Sequence, residues 1–423
     1  EERPGVPREV SERQRGTSWG GGDDLAAGED GNSPSPPLLH PSDPSKPRPS
    51  RPSADVVLDN GLVRAVVDTT GHATSLHDAA SGREIVPPGQ RLGLLQLFRD
   101  EPVRWDAWDV DRHVLGLGTD LVDVTSMSTQ TSDDGTRNVT VERAFGRSRA
   151  RLTYRLAPGA RQLDMECAID WHEREHMLKV CLPVAVRTAN ARFETQYGYV
   201  ERAIHQNTPW DEARFESCTH RYVHVDEPGY GVGVVNDSTY GSDVSRLPAD
   251  AGGGTLIRLS LLRAPMYPDP NTDQGQHLLR WSVVCAPDPA NTVAAAYELN
   301  APELAALPDI EPLVRLDLTE GAAVVDWVKL ADDRSGDVVV RLYEALGGRA
   351  AGRLRLSGAI DQDAAIVETD LLERPLGSPD DDLPQALHGT AGVALGPFQV
   401  ATLRIQRSGA RITTATGSTD TKE

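Results

Sequence analysis

Aromatic, acidic, amide and basic side chains crowd into one stretch of a chain that is otherwise poor in aromatic residues. The stretch runs from Phe193 to Glu216, and aromatic residues make up only 5% of the whole chain. Aromatic rings stack on the faces of pyranose sugars, while carboxylates, amides and guanidinium groups hydrogen-bond hydroxyls. The stretch therefore has the composition of a carbohydrate contact.

A second segment alternates tryptophans with carboxylates, as Trp105-Asp106-Ala107-Trp108-Asp109. Two interpretations stay open. In one, a tryptophan packs in the core and the polar residues form its edges. In the other, the segment is a loop that offers an aromatic face and carboxylates to a sugar, and Trp105, Asp106, Trp108 and Asp109 bind substrate.

Two more segments rich in turn-forming residues add six candidates, which are Asn207, Trp210 and Asp211 in one and Asp269, Asp273 and His277 in the other. We predict that the first three bind substrate and that the last three support the site from behind. Asp, Asn, Gly and Pro are also ordinary turn formers, so simple turn chemistry is the alternative. If these segments serve one site, they converge on one rim of a sheet, because a rigid sheet positions functional loops.

His172-Glu173-Arg174-Glu175-His176 matches the zinc-protease pattern H-E-x-x-H. The pattern works on a helix, which places both imidazoles on one face. The flanking residues are instead typical of strands around a turn. In a strand the two histidines would stand roughly 13 Å apart at about 3.3 Å per residue, too far to share a metal. We therefore predict a surface turn here, and no metal bound by His172 or His176.

The composition argues against several classes of partner. Net charge is −20, from 63 acidic and 43 basic residues, and such a surface repels phosphate backbones, so nucleic acid is not an expected partner. No window reaches the roughly 20 apolar residues of a membrane helix, so no membrane partner is expected. The four cysteines lack C-x-x-C spacing. They predict free, mostly buried thiols in a reducing, cytoplasmic compartment.

The chain divides by composition into five parts. Residues 1–54 predict a disordered proline-rich linker, 55–285 a large antiparallel sandwich, 286–312 a connection, 313–407 a smaller β domain and 408–423 a tail. The sandwich is predicted from short alternating apolar segments with turn signals about every ten residues. The best helical candidate lies near Thr292–Leu307, inside the connection. The predicted fold class is all-β.

From about Val57 to Arg407 the chain resembles the C-terminal region of glycoside hydrolase family 38, the α-mannosidases, especially their cytosolic and bacterial branch. The matching segments come in the family's order and are Leu58–Arg64, Ser81–Glu84, Leu95–Asp100, Trp105–Val110, Asp170–Glu173, Phe193–Glu216, Leu259–Arg263, Pro268–Pro270, Asp273–His277, Val340–Ala345, Asp370–Arg374 and Pro397–Arg404. The chain departs from the family at Ala203-Ile204, at Gln206 and at Leu278-Leu279, which bears on local substrate contacts.

The resemblance implies a retaining, zinc-dependent glycosidase that acts on α-mannosides. In the family, an N-terminal α/β barrel holds the zinc ion and the nucleophilic Asp. No motif of this chain matches them, so the resemblance assigns it no catalytic residue, no metal ligand and no cofactor of its own. What it implies here is a mutarotase-like supersandwich that buttresses the barrel and can reach its sugar, followed by a smaller β-sandwich.

The leading hypothesis is therefore the C-terminal half of an α-mannosidase of mannose and oligosaccharide catabolism, with carbohydrate-binding and supporting roles. Its expected partners are an α-mannoside or mannose-containing oligosaccharide and the N-terminal barrel of the same polypeptide, and a homo-oligomer is left open. The alternatives are a stand-alone carbohydrate-binding β module without hydrolase activity and a remnant of a broken reading frame. Alone, the 423-residue chain is predicted to be inactive, because hydrolysis needs a placed nucleophile and acid.

Overall fold

The structure, a computed structural model, describes residues 54–300, 312–358, 360, 364–376 and 390–407. Within these ranges the predicted fold class is confirmed: a large antiparallel supersandwich is followed by a smaller β-sandwich. The predicted linker, apart from Ala54, and the predicted tail lie outside the described residues. No helix in the described part is long and apolar enough to cross a membrane.

The first sheet has four strands in the order β1-β2-β3-β4. They are β1 Val56–Asp59, β2 Val63–Val67, β3 Ala73–Asp78 and β4 Arg83–Glu84. A turn at Asn60, Gly61 and Leu62 joins β1 to β2. The Asn60 carboxamide accepts the N–H groups of Leu62 and Val63 at 3.0 and 2.9 Å. Gly61 has φ 84°, a value that favours glycine.

Two larger sheets follow. Their strands are β5 Leu94–Arg99, β6 Gly118–Asp120, β7 Ser126–Thr131, β8 Arg137–Phe145, β9 Ser148–Leu156, β10 Gln162–Trp171, β11 His176–Val184, β12 Asn190–Thr195, β13 Gly198–Ala203, β14 Glu216–Cys218, β15 Tyr222–Glu227, β16 Tyr230–Asn236, β17 Gly241–Arg246, β18 Thr255–Arg263 and β19 Gly275–Cys285. The nine-stranded sheet has the order β13-β12-β15-β16-β19-β10-β9-β8-β7, and the six-stranded sheet has the order β14-β17-β18-β11-β5-β6.

Alternating burial shows why these strands pack as a sandwich. In β10 every second residue, from Leu163 to Trp171, is buried, while those between are half-buried. Because successive side chains of a strand point to opposite sides, one face of β10 joins the core. Trp171 and Trp281 from the nine-stranded sheet meet Val180 and Leu182 from the six-stranded sheet in that core.

The outer face of the six-stranded sheet, which points away from the core, is covered in part by the connection between β5 and β6. A 3-10 helix at Arg112–Leu117 follows the loop after β5. Phe98 and Met177 on the outer face pack with Val114 of this helix in a small apolar cluster. A short helix, α1 Pro209–Ala213, follows β13. The connections that carry most of the predicted site residues therefore lie on this side of the sheet.

The smaller sandwich has two sheets and a core of its own. Its strands are β20 Val314–Glu320, β21 Ala323–Leu330, β22 Val338–Glu344, β23 Ala350–Leu356, β24 Ile366–Thr369, β25 Thr390–Leu395 and β26 Val400–Ile405. The sheets have the orders β20-β23-β25 and β21-β22-β26-β24. Leu354 and Val393 of the first sheet pack against Leu342 and Ile405 of the second.

Helix α2, Pro289–Asn300, lies in the predicted connection but begins earlier than the predicted Thr292. The Asp288 carboxylate accepts the N–H of Ala290 at 2.9 Å, and Pro289 suits a first helical position; together these features start the helix. Val293 and Ala296 pack with residues of the nine-stranded sheet and with Tyr343 of the smaller sandwich. The segment is thus a packed element rather than a bare connection, and residues 301–311 lie outside the described part.

We call the contact between the nine-stranded sheet, α2 and the smaller sandwich the seam. Phe398 from the smaller sandwich packs edge-on against Tyr199, with ring centroids 5.3 Å apart. A Cβ at Gly198 would lie 2.6 Å from the Phe398 ring, and one at Gly347 would lie 2.7 Å from it. The Tyr199 hydroxyl also donates to the Leu346 carbonyl at 3.1 Å. Phe398 therefore fits only because both facing positions lack a side chain.

Candidate functional site

The tryptophan segment is a surface turn after β5, as one of the two interpretations predicted. The N–H of Trp108 donates to the Trp105 carbonyl at 2.7 Å, and Trp105 has φ 58°. The Trp105 side chain is 72% exposed and that of Trp108 is 88% exposed. Neither ring is in the core, so the core interpretation of this segment is wrong.

Asp106 ties this turn to the segment that follows β18. One of its carboxylate oxygens accepts the N–H of Met266 at 2.6 Å and that of Tyr267 at 2.8 Å. Arg263, the last residue of β18, adds a second link, because its guanidinium donates to the Asp109 carbonyl. Two predicted segments that are far apart in sequence thus lie together.

Asp273 and His277 hold the same segment in shape. The Asp273 carboxylate accepts the N–H of Arg263 at 2.9 Å, and the His277 ring is 2.8 Å from the Asp273 carbonyl. Asp269 accepts the N–H of Asn271 at 2.9 Å, which is the turn chemistry that was the alternative for this residue. Asp273 and His277 also line a cavity of about 530 Å³ on the outer face of the six-stranded sheet.

The third predicted segment surrounds α1. Thr208 caps this helix: its hydroxyl accepts the N–H of Asp211 at 3.2 Å and donates to the Asp211 carboxylate at 2.8 Å. The Trp210 ring is 75% exposed. The Asp211 carboxylate is therefore engaged in capping, and Trp210 is the side chain of this turn that is presented to solvent.

Arg112 connects the α1 segment to the connection that carries the tryptophan turn. Its guanidinium donates to Glu212 and to Gln206, each at 2.5 Å. Asn207 lines a cavity of about 440 Å³ together with Arg112 and His205. The predicted segments are thus linked along one edge of the molecule, but of the predicted residues only Asp273 and His277 line the first cavity and only Asn207 lines the second. We call Trp105–Asp109, Asn207–Asp211 and 269–277 together the rim.

Sequence reasoning missed a buried ionic cluster on the outer face of the six-stranded sheet. The Lys179 ammonium, with a fully buried side chain, lies 2.5 Å from Glu216 and 2.9 Å from Asp243. Arg258 donates to the same Asp243 at 2.9 Å. Burial alone would lower the pKa of Lys179, but the two carboxylates outweigh it and raise that pKa above its ordinary value. A lysine amid the apolar residues of β11 was the available signal.

The zinc-protease look-alike lies where β10 ends and β11 begins, so the predicted turn is confirmed. The His172 ring meets Asp170 at 2.9 Å, whereas the His176 ring meets the Arg174 carbonyl at 2.6 Å. The Glu173 carboxylate accepts the Arg147 N–H at 2.7 Å. Across residues 54–300, 312–358, 360, 364–376 and 390–407, no three His, Cys, Asp or Glu side chains form a set that could hold a metal ion. These residues do not fit a zinc site.

Comparison with known proteins agrees with this fold. The family described as "Glycosyl hydrolases family 38 C-terminal domain" matches residues 58–271, and "Glycosyl hydrolases family 38 C-terminal beta sandwich domain" matches residues 322–403. The crystal structure of an α-mannosidase from Enterococcus faecalis V583 superposes with a TM-score of 0.62 at 15% identity, covering 83% of this chain and 42% of that one. At that identity the likeness shows the fold.

Relatives of known activity are much longer than this chain. Human "Alpha-mannosidase 2C1" is 35% identical over 342 residues, which are 76% of this chain and 31% of the human protein. The "Alpha-mannosidase" of Saccharomyces cerevisiae is 27% identical over 390 residues, 83% of this chain and 35% of the yeast protein. The chain therefore spans about a third of the length of these relatives. It belongs to glycoside hydrolase family 38 and comprises the C-terminal domains of that family's α-mannosidases.

Proposed function

We propose that this chain is the non-catalytic C-terminal part of a retaining, zinc-dependent α-mannosidase. The observation that carries the proposal is that both C-terminal domains of family 38 match this chain, in order. The matched region corresponds to only 31% of the human relative. The remaining length of such a relative is where a catalytic barrel would lie. The substrate we propose is an α-mannoside or a mannose-containing oligosaccharide, because the relatives are α-mannosidases.

The role we propose for this chain is to shape the mouth of the active site. Hydrogen bonds tie Asp106 and Asp109 to Met266 and Arg263, which precede 269–277, and an ion pair joins Arg112 to Glu212 beside Asn207–Asp211. They hold the rings of Trp105, Trp108 and Trp210 in solvent. Exposed aromatic rings on a fixed scaffold suit the face of a sugar or the surface of a neighbouring domain. Asp106 keeps a sugar-accepting role only through its second oxygen, since the first is committed to the backbone of Met266 and Tyr267.

Zinc and the nucleophile belong, in this proposal, to the barrel. A retaining glycosidase needs two carboxyl groups about 5 to 5.5 Å apart across the scissile bond, one of them as nucleophile. The described part of this chain offers no metal-ligand set. We therefore derive no catalytic step from its residues. The 423-residue chain alone is expected to leave α-mannosides intact.

One hydrolysis assay on two proteins tests the proposal. The 423-residue chain and the full polypeptide encoded by its gene are each incubated with an aryl α-mannoside, with and without added zinc. We expect zinc-dependent hydrolysis by the full polypeptide and none by the chain. Zinc-dependent turnover by the chain itself would contradict the proposal, and so would an upstream sequence without a barrel that carries His and Asp zinc ligands.

A stand-alone carbohydrate-binding module is the second candidate, favoured by the same exposed tryptophans. It differs from the first candidate in two ways: the upstream sequence would encode no barrel, and the chain would bind carbohydrate on its own.

A reducing, cytoplasmic location fits both candidates. It is supported by the four free cysteines, of which only Cys218 is exposed.

A further inference from the structure

A cavity of about 340 Å³ opens at the seam, away from the rim tryptophans. The turn between β12 and β13 contributes Gln196 and Tyr197, the loops on either side of β15 and β16 contribute His220 and Tyr240, and β21 of the smaller sandwich contributes Asp326. Its volume lies at the small end of the range of about 300 to 1,000 Å³ that ligand sites occupy. Neither sandwich forms this cavity alone.

Two tyrosines give the cavity aromatic walls that are held at their edges. The Tyr240 ring packs edge-on against His220, with centroids 5.3 Å apart, and remains 61% exposed. The Tyr197 ring packs in the same way against Tyr343, also at 5.3 Å. Such contacts fix the orientation of a ring, and the exposure of Tyr240 leaves much of its ring accessible. A free, oriented ring face suits the apolar face of a pyranose.

The polar groups of the cavity suit hydroxyls. The Gln196 amide nitrogen lies 3.2 Å from the His220 ring, which leaves the amide oxygen directed to no other described group. Asp326 accepts the Tyr297 hydroxyl with one oxygen at 2.8 Å, and its second oxygen has no partner among the described residues. An amide, an imidazole and a half-engaged carboxylate offer both donors and acceptors, which a hydroxyl can use in either direction.

The charges of the cavity argue against an anionic ligand. Arg221 is the one Lys or Arg among the described lining residues. Its guanidinium is bound to the Glu194 carboxylate at 2.9 Å and lies over the Tyr297 ring at 4.1 Å from the centroid. An arginine already paired in this way is not free for a phosphate or carboxylate. The described lining therefore offers no free positive charge to an anion, and its hydrogen-bonding groups suit a neutral ligand that is rich in hydroxyls.

The seam cavity adjoins the cavity that Asp273 and His277 line at the rim, because Ser238 and Tyr240 belong to the lining of both. The two cavities therefore share part of one wall, and one extended ligand could occupy both. This requires a ligand longer than one sugar ring.

We propose that the seam cavity binds one hexose unit of a neutral oligosaccharide, at a distance from the unit held at the rim. The choice of carbohydrate rests on the proposed function. Tyr240 is the stacking platform, and Gln196 and Asp326 are the hydrogen-bonding groups. The smaller sandwich thus takes part in binding, by supplying Asp326.

Calorimetric titration of the 423-residue chain with methyl α-D-mannoside and with an α-linked mannotriose tests the proposal. We expect the mannotriose to bind at least about fivefold more tightly than the monosaccharide. Gln196→Ala and Tyr240→Ala each remove that gain. Leu330→Ala, which changes an exposed residue of β21 outside the lining of both cavities, preserves it. Thermal melts check that each variant is folded. Because Gln196 and Tyr240 are both exposed, we expect neither substitution to unfold the chain.

Two results would overturn the seam site. In the first, Trp108→Ala abolishes the tighter binding of mannotriose while Gln196→Ala and Tyr240→Ala keep it, so that the sugar binds at the rim alone. The other is the absence of any binding of either sugar up to about 20 mM, a concentration that detects even very weak sites. Both results leave the proposed function standing, because that is decided by hydrolysis in the full polypeptide.

Discussion

The Asp106 carboxylate holds the backbone N–H of Met266 at 2.6 Å, across a sequence separation of 160 positions. The same oxygen holds the N–H of Tyr267 at 2.8 Å. A charged acceptor on two adjacent N–H groups is stronger than a neutral one, and an N–H left without it must find water. This contact, more than any feature of the tryptophans themselves, fixes the tryptophan turn against the segment after β18.

Replacing Asp106 by Ala should loosen the rim without unfolding the sandwich. We expect the amides of Met266 and Tyr267 to exchange with deuterium at least about tenfold faster, because each loses its acceptor. Exchange in β10 and β11 should stay unchanged. Asp109→Ala is the matched control, since among the described residues its carboxylate meets only the neighbouring N–H of Val110, at 2.9 Å. Equal exchange in the Asp106 variant and the wild type would show that the contact does not hold the rim.

Lys179→Met should strongly destabilise the chain. The change leaves Glu216 and Asp243 without their shared buried ammonium, and breaking a buried pair in this way costs about 3–5 kcal/mol. Lys329→Met is the control, because Lys329 also has two acidic partners, Asp332 and Glu373. Its side chain is 35% exposed, so water screens both pairs and they contribute less than the pairs of the fully buried Lys179. Urea denaturation gives both values, and equal midpoints for the two variants would contradict the assigned role of the Lys179 cluster.

The sequence predicted the strands of the smaller sandwich well where the apolar alternation was regular. The apolar pattern predicts a strand at Ala323–Leu330, and β21 has the same bounds. β25, Thr390–Leu395, was not predicted. Its residues are Thr, Ala, Gly, Val, Ala and Leu, with few β-branched or aromatic residues. The strand forms because β23 supplies its hydrogen-bonding partners, and a local pattern cannot show such tertiary pairing.

His224 should make stability fall on acidification. Burial, and to a lesser extent Arg192, lower the pKa of His224 to about 4 against the opposing pull of Asp226 and Asp288. Below the ordinary value of 6.5 the unfolded chain takes up a proton that the folded chain refuses. The stabilisation is therefore complete above pH 6.5 and is lost toward pH 4. Between pH 6.5 and 5 the loss is about 2 kcal/mol.

Denaturation at several pH values checks this, with His224→Gln as the variant that cannot titrate. The difference in unfolding free energy between wild type and variant should narrow steadily as the pH falls. His113→Gln, which removes an exposed imidazole, is the control and should keep the pH dependence of the wild type. A difference independent of pH would rule out His224 as a source of acid sensitivity.

Gly198→Ala should weaken the seam. The added methyl would lie 2.6 Å from the Phe398 ring, so the ring must move, and overpacking of this kind costs about 1–3 kcal/mol. Gly392→Ala, in β25, adds the same methyl where nothing lies within 4 Å. We expect a lower melting temperature for the first variant and little change for the second. A wild-type melting temperature for Gly198→Ala would show that Phe398 is not confined at the seam.

The candidate site was predictable in its residue types but not in its contacts. Trp105 and Trp108 are predicted from their alternation with carboxylates and Trp210 from its segment of turn-forming residues, and the structure places all three in solvent. The capping of α1 by Thr208 and the commitment of Asp106 to the backbone depend on distances that spacing does not give. The seam cavity could not be foreseen, because Asp326 and Gln196 line it together only through the packing of two sandwiches that are far apart in sequence.

The position of α2 decides where this polypeptide can be divided. A protein that stopped at Cys285 would leave Tyr222, Val235 and Val284 uncovered, and a bared apolar patch of that kind invites aggregation. A protein that ended at Asn300 would keep α2 over these residues. It would leave the Tyr297 hydroxyl without its acceptor Asp326, which lies beyond the truncation. A domain swap between homologous enzymes therefore needs to transfer α2 together with the supersandwich and the smaller sandwich, as one unit.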